Sequence, residues 1–134
     1  MDEAPELWDV YLVSKTRYTD PPKDKFVVII TLEPQVYGCL INSRINRFVL
    51  DRPHLLPCMV LITESENPFL SYDSFLDVRE VFMFSPWELS DYRGRLSPLT
   101  IDIVLKGVAD CPVLKDYYKL LICGDTPSDD DSDE

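Results

Sequence analysis

The stretch Lys25–Leu32, KFVVIITL, most narrows the folds open to this chain. Val27 to Thr31 are consecutive β-branched residues, which lose side-chain freedom in a helix and fit a pleated strand. The run is short and apolar at odd and even positions alike, so it reads as a strand covered on both faces. Such a strand needs neighbours, and the flanking text supplies them. Residues 8–14, WDVYLVS, alternate loosely and predict a first strand. Pro21 and Pro22 then remove two backbone donors and make a loop. After the turn EPQ, Val36–Ser43 predicts a third strand in a hairpin, and Cys58–Thr63, CMVLIT, a fourth.

Between these, residues 44–57 read as an excursion with an extended piece, bracketed by Pro53 and Pro57. The segment FLSYDSFLDVREV, residues 69–81, carries hydroxyls and carboxylates ahead of an apolar run. Phe69 to Asp73 suit a turn, since Ser71 and Asp73 can bond their own backbone. Ser74–Val81 predicts a half-buried strand with a polar face at Asp77 and Arg79, able to form an ion pair, and a bulge or twist near Glu80. Ser85 with Pro86 marks a short helical turn. Ser97 with Pro98 repeats that signature before Ile101, Val104, Leu105 and Val108, which recur at helical spacing. CPVLKDYYKLL is a second helical segment.

Five strands followed by C-terminal helices give a β-rich α+β domain over residues 1–124, a small, partly open barrel. The tail 125–134, DTPSDDDSDE, has no apolar residue to offset the entropy of ordering and is expected to be disordered.

Charge and cysteine usage limit the chemistry. The net charge is −11, and six of the acids lie in the last ten residues, which leaves −5 on the body. A body of that sign does not draw in a polyanion by its net field, so nucleic-acid binding would need a local basic surface. Arg44, Arg47 and Arg52 supply one candidate. Cys39, Cys58, Cys111 and Cys123 are widely spaced, and His54 has no partner at metal-ligand spacing, so no metal site is predicted. Buried, reduced thiols are the reading. A Ser-His-Asp site through His54 lacks any Gly-x-Ser-x-Gly elbow. No apolar run approaches the roughly 20 residues of a membrane span. The acidic N-terminus lacks a signal-peptide pattern, so a cytoplasmic protein is expected.

Several pieces in order, KDKFVVII, VLITES, SFLDVREVF and GRLSPLTIDIVLKGV, resemble the MazF/PemK-like toxins over roughly residues 10–121. That resemblance implies an SH3-like barrel, a homodimer, an antitoxin-like protein partner and cleavage of single-stranded RNA without a metal or other cofactor. It places the catalytic hydroxyl at Thr63 and puts Lys25 where the family has Arg, with Arg44, Arg47 and Arg79 holding RNA phosphates. Lys25-Phe26 replaces the family's Arg-Pro, and Glu64 and Glu66 follow Thr63 closely. Those departures keep a second reading open, a catalytically weakened relative that binds a protein. The acidic tail has two readings of its own: a solubilising segment, or a phosphate mimic laid over the substrate groove.

Overall fold

The computed structural model describes residues 4–124; the acidic tail, with the disorder expected of it, lies outside them. β1 (Asp9–Thr16), β2 (Lys23–Thr31), β3 (Tyr37–Asn42), β4 (Met59–Ile62), β5 (Ser74–Met83) and β6 (Tyr92–Arg95) form one antiparallel sheet. Their order is β4-β5-β3-β2-β1-β6, curled into a half-barrel. β2 lies centrally and is buried on both faces, as its composition predicts. Val28 and Ile30 enter one core with Ile41, Leu76, Val78, Val104 and Val108. Val27 and Ile29 enter a second core with Tyr11, Val13, Leu40, Phe84 and Leu89.

The sixth strand corrects the expectation of five. β6 reads YRGR and has no apolar alternation, so periodicity could not reveal it. It forms because backbone pairing with β1 is reinforced by charge: Arg95 lies opposite Asp9, and its Nη2 donates to Asp9 Oδ1 at 3.1 Å and also to Glu6. Gly94 between the arginines has φ 151°, and a Cβ there would stand 3.3 Å from Phe69 Cδ2.

Residues 44–57 also differ from expectation. They hold no strand; a four-residue helix α1 (Arg47–Leu50) is followed by a 3-10 turn over Pro53–Cys58. Asn46 caps α1 by accepting from Val49 N–H at 3.0 Å, and Val49 is fully buried. This local capping outweighs the extended preference suggested by the two prolines.

The bulge expected near Glu80 is present. Along β3 and β5, Gly38 pairs with Phe82 while Leu40 pairs with Asp77, which leaves extra residues on β5 between them. Helix α2 (Pro98–Asp110) starts where Ser97 Oγ accepts from Thr100 N–H at 3.1 Å, and it buries Val104 and Val108. Helix α3 (Asp116–Cys123) packs edge-to-face through Tyr118 on Tyr37. Asn67, fully buried, joins the β4–β5 loop to α2. Its Nδ2 donates to Thr63 O at 3.0 Å and Thr100 Oγ1 at 2.9 Å, while its Oδ1 accepts from Ser97 N–H at 2.9 Å.

Candidate nucleic-acid interface

Strand register decides which side chains share a surface. Leu61 pairs with Phe75, Phe75 with Asn42, and Lys25 with Val13, while Lys25 continues the β2–β3 register onto Asn42. Leu61, Phe75, Asn42, Lys25 and Val13 therefore form one cross-strand row on a single face. The next row holds Met59, Asp77, Leu40, Val27 and Tyr11. The second core covers this face around Val13, Val27 and Leu40. Toward β4 the face opens, with Leu61 exposed and Lys25, Asn42, Phe75 and Asp77 half-buried.

Lys25 stands at the border between the covered and open parts. Its Nζ donates to Asn42 Oδ1 at 2.6 Å. Burial, with a smaller contribution from the positive charge of Lys23, lowers its pKa from the ordinary lysine value. An ammonium that is held in place and readier to release its proton suits both charge stabilisation and proton transfer. Sequence reasoning missed Asn42; the hairpin register that sets it opposite Lys25 was the available signal.

Asp77 and Arg79 form the ion pair their spacing allows. Arg79 Nη2 donates to Asp77 Oδ2 at 2.7 Å and Nε to Oδ1 at 3.0 Å, with only 17% and 14% of the two side chains exposed. The fork raises the Arg79 pKa and fixes the guanidinium plane. Phe48 of α1 lies below two cations, with Arg52 Cζ 3.8 Å and Arg79 Cζ 5.6 Å from its ring centre. Arg44, after β3, and Arg47, on α1, are exposed. The aromatic partner Phe48 was not singled out by sequence, because an exposed Phe in a short excursion has no periodic signal.

Thr63 lies one residue beyond β4, and its carbonyl accepts from both Asn67 N–H and Asn67 Nδ2 at 3.0 Å. β5 and β3 separate β4 from β2, so the Lys25 row reaches β4 at Leu61 about 14 Å away at the usual strand spacing, and Thr63 lies two residues beyond Leu61. The structure thus brings Lys25 to Asn42 and Arg79 to Phe48, and it does not put Thr63 in contact with Lys25. Beside Phe26 and Ile41, a cleft of about 260 Å³ is lined also by Asp24, Lys25, Ser71, Tyr72 and Ser74, so Lys25 borders it as well. The hydroxyls of residues 69–74 belong to that cleft. Ser74 Oγ donates to Tyr72 O at 3.1 Å, and Asp73 Oδ1 accepts from Glu64 N–H at 2.9 Å, which makes them turn-forming groups.

All four cysteines are free, with Cys39, Cys58 and Cys111 buried. Burial raises the thiol pKa values of Cys39, Cys58 and Cys123, that of Cys58 to about 12, so these three sulfurs are poor nucleophiles. Among the described residues no cluster of three or more His, Cys, Asp or Glu is arranged to hold a metal ion. No helix among them is long and apolar enough to cross a membrane.

No family model matches the chain, and no curated protein matches it. Among solved structures it is similar to an endoribonuclease in complex with its cognate antitoxin from Mycobacterial species. The two are 18% identical with a TM-score of 0.58, and the match covers 79% of this chain and 92% of that one. This likeness, together with the curled six-stranded sheet, shows that the β-rich barrel expected from the sequence motifs is the fold of this chain.

Proposed function

We propose that this protein is a metal-independent endoribonuclease acting on single-stranded RNA, with the open half of the sheet face as its substrate surface. The observation that carries the reading is the Lys25–Asn42 pair at the border of that face, 2.6 Å apart, with the Lys25 pKa lowered by burial. The fold shared with an endoribonuclease supports it. In such cleavage the 2′-oxygen bonds to the adjacent phosphorus, the bond from phosphorus to the 5′-oxygen breaks, and a 2′,3′-cyclic phosphate forms. The 2′ proton leaves to water, and the departing 5′-oxygen takes a proton. Lys25 Nζ offsets the charge gathering on the phosphoryl oxygens and supplies that second proton, while Asn42 fixes its position. Phe75 and Phe48 give bases flat apolar contacts, and Arg44, Arg47 and Arg79 contact phosphates. Thr63 contributes its hydroxyl farther along the same RNA path.

The same reading makes the chain a cytoplasmic homodimer with an antitoxin-like protein partner. Replacement of Lys25 by Arg and by Ala tests it on a mixed single-stranded RNA in EDTA. Cleavage retained in the Arg variant and lost in the Ala variant supports the assignment; equal cleavage in both removes Lys25 from the chemistry.

A second reading, a weakened relative that binds a protein, is favoured by the Arg79–Asp77 fork. Asp77 neutralises the half-buried arginine on the open face and reduces its pull on phosphate.

A further inference from the structure

The excursion 44–57 does more than connect β3 to β4. With β5 and the turn before α3 it borders an open concavity of about 670 Å³, within the range of small-ligand sites. Its walls are of two kinds. Phe48, Leu55 and Val113 are apolar, while His54, Arg52, Arg79 and Glu80 are polar, the last three charged. Arg52 lies flat enough on Phe48 to place its Cζ 3.8 Å from the ring centre, and its Nη1 is anchored on Phe48 O at 3.1 Å. A guanidinium plane over an aromatic ring is a platform on which a nucleobase can stack.

We propose that this concavity is a single-nucleotide subsite that takes guanine in preference to the other bases. The base stacks on the Arg52–Phe48 layer, with Leu55 and Val113 beside it. Glu80, exposed at the rim, offers two carboxylate acceptors. Guanine alone presents adjacent ring N–H and amino donors on its pairing edge, so it alone matches a carboxylate with two parallel hydrogen bonds. Adenine and cytosine present one amino donor beside an acceptor, which would face carboxylate oxygen. The nucleotide phosphate lies between Arg52 and Arg79. Asp77 engages Nε–H and one Nη2–H of Arg79, which leaves the Nη1 hydrogens for a phosphate and holds the fork rigid before ligand arrives.

The subsite rests on the reading of RNA as the substrate class, but its test reads binding and not cleavage. The full chain is titrated calorimetrically with GMP, AMP, CMP and UMP at low salt, and each variant's thermal unfolding is recorded to confirm folding. GMP is expected to bind at least tenfold tighter than the other three. Glu80→Gln should remove most of that preference, and Phe48→Ala and Arg52→Ala should each weaken GMP at least tenfold. Failure of wild-type protein to bind GMP overturns the subsite. So does equal affinity for all four nucleotides, or unchanged GMP binding in folded Phe48→Ala and Arg52→Ala proteins. If GMP binds as expected and RNA is not cleaved, the subsite stands and the endoribonuclease reading falls. RNA cleavage without GMP binding has the opposite meaning.

Discussion

Lys25 and Asn42 face each other across β2 and β3, with the lysine ammonium donating to the amide oxygen at 2.6 Å. The pair sits where the second core ends and the open sheet face begins, so one side of the ammonium is shielded while the other faces solvent. This gives Asn42 a positioning role. Asn42→Ala should lower kcat for RNA cleavage about tenfold, as expected for loss of one orienting hydrogen bond to a charged group. KM should change little. The conservative Asn42→Asp strengthens the hold on the ammonium, raises its pKa and moves the alkaline limb of the pH–rate profile, where the proton donor is lost, to higher pH. Steady-state kinetics across pH measure both effects, and a purely structural role would leave the profile unmoved.

The lowered Lys25 pKa also makes a stability prediction. A lysine whose folded pKa lies below its unfolded value binds fewer protons when folded, so folding is penalised while the group is charged. The penalty is fully present below the folded pKa and disappears as pH rises from there to the unfolded value. Relative to Lys25→Met, wild-type protein should therefore gain stability through the alkaline range just below pH 10.5. Urea unfolding of both proteins at neutral and alkaline pH checks the sign.

Asn67 is the polar hub of the fold. Its side chain makes three hydrogen bonds of 2.9–3.0 Å inside the protein, tying Thr63 to the start of α2. Asn67→Ala leaves the Thr63 carbonyl and Ser97 N–H without these partners and should cost about 3 kcal/mol. Asn67→Asp should be at least as harmful, because a carboxylate cannot donate to Thr63 O or Thr100 Oγ1 and its charge would be buried. Denaturant midpoints measure both.

Helix α2 approaches β4 closely because position 107 has no side chain. A Cβ on Gly107 would collide with Val60 Cγ2. Gly107→Ala should destabilise by about 1–2 kcal/mol, since overpacking outweighs the helix propensity that alanine adds. Val60→Ala should relieve the Gly107→Ala clash, so the double mutant is expected to be more stable than the sum of the two single changes predicts. Equal, additive losses would place the strain elsewhere.

Asp77 restrains Arg79, and removing it separates the two functional readings. Asp77→Asn keeps the shape but releases the charge, so RNA binding should tighten several-fold and its dependence on salt should steepen. Filter binding at two salt concentrations reads this. Unchanged affinity would place RNA away from Arg79.

The fold was legible wherever burial imposes a pattern. β2 announced itself through five successive β-branched residues, and α2 through Ser97-Pro98 and the spacing of Ile101, Val104, Leu105 and Val108. The bulge near Glu80 was visible as a change of face within β5. β6 was not, because YRGR is held by backbone pairing and by Arg95 with Asp9 and Glu6, which leave no hydrophobic period. The candidate surface was legible only in part. Lys25, Arg79 and the Asp77 pair were readable from position along a strand. Asn42, Phe48 and the separation of Lys25 from Thr63 by two intervening strands follow from strand order, which local sequence does not encode.

The central claim is cleavage of RNA by groups on this sheet face. A mixed single-stranded RNA is incubated in EDTA with wild-type protein, Lys25→Ala and Thr63→Ala, and the products are resolved by length and by end chemistry. The account predicts wild-type cleavage with 2′,3′-cyclic phosphate ends, loss of about a hundredfold or more in Lys25→Ala, and a smaller loss in Thr63→Ala. An intact RNA with wild-type protein, or cleavage by folded Lys25→Ala at the wild-type rate, would contradict it.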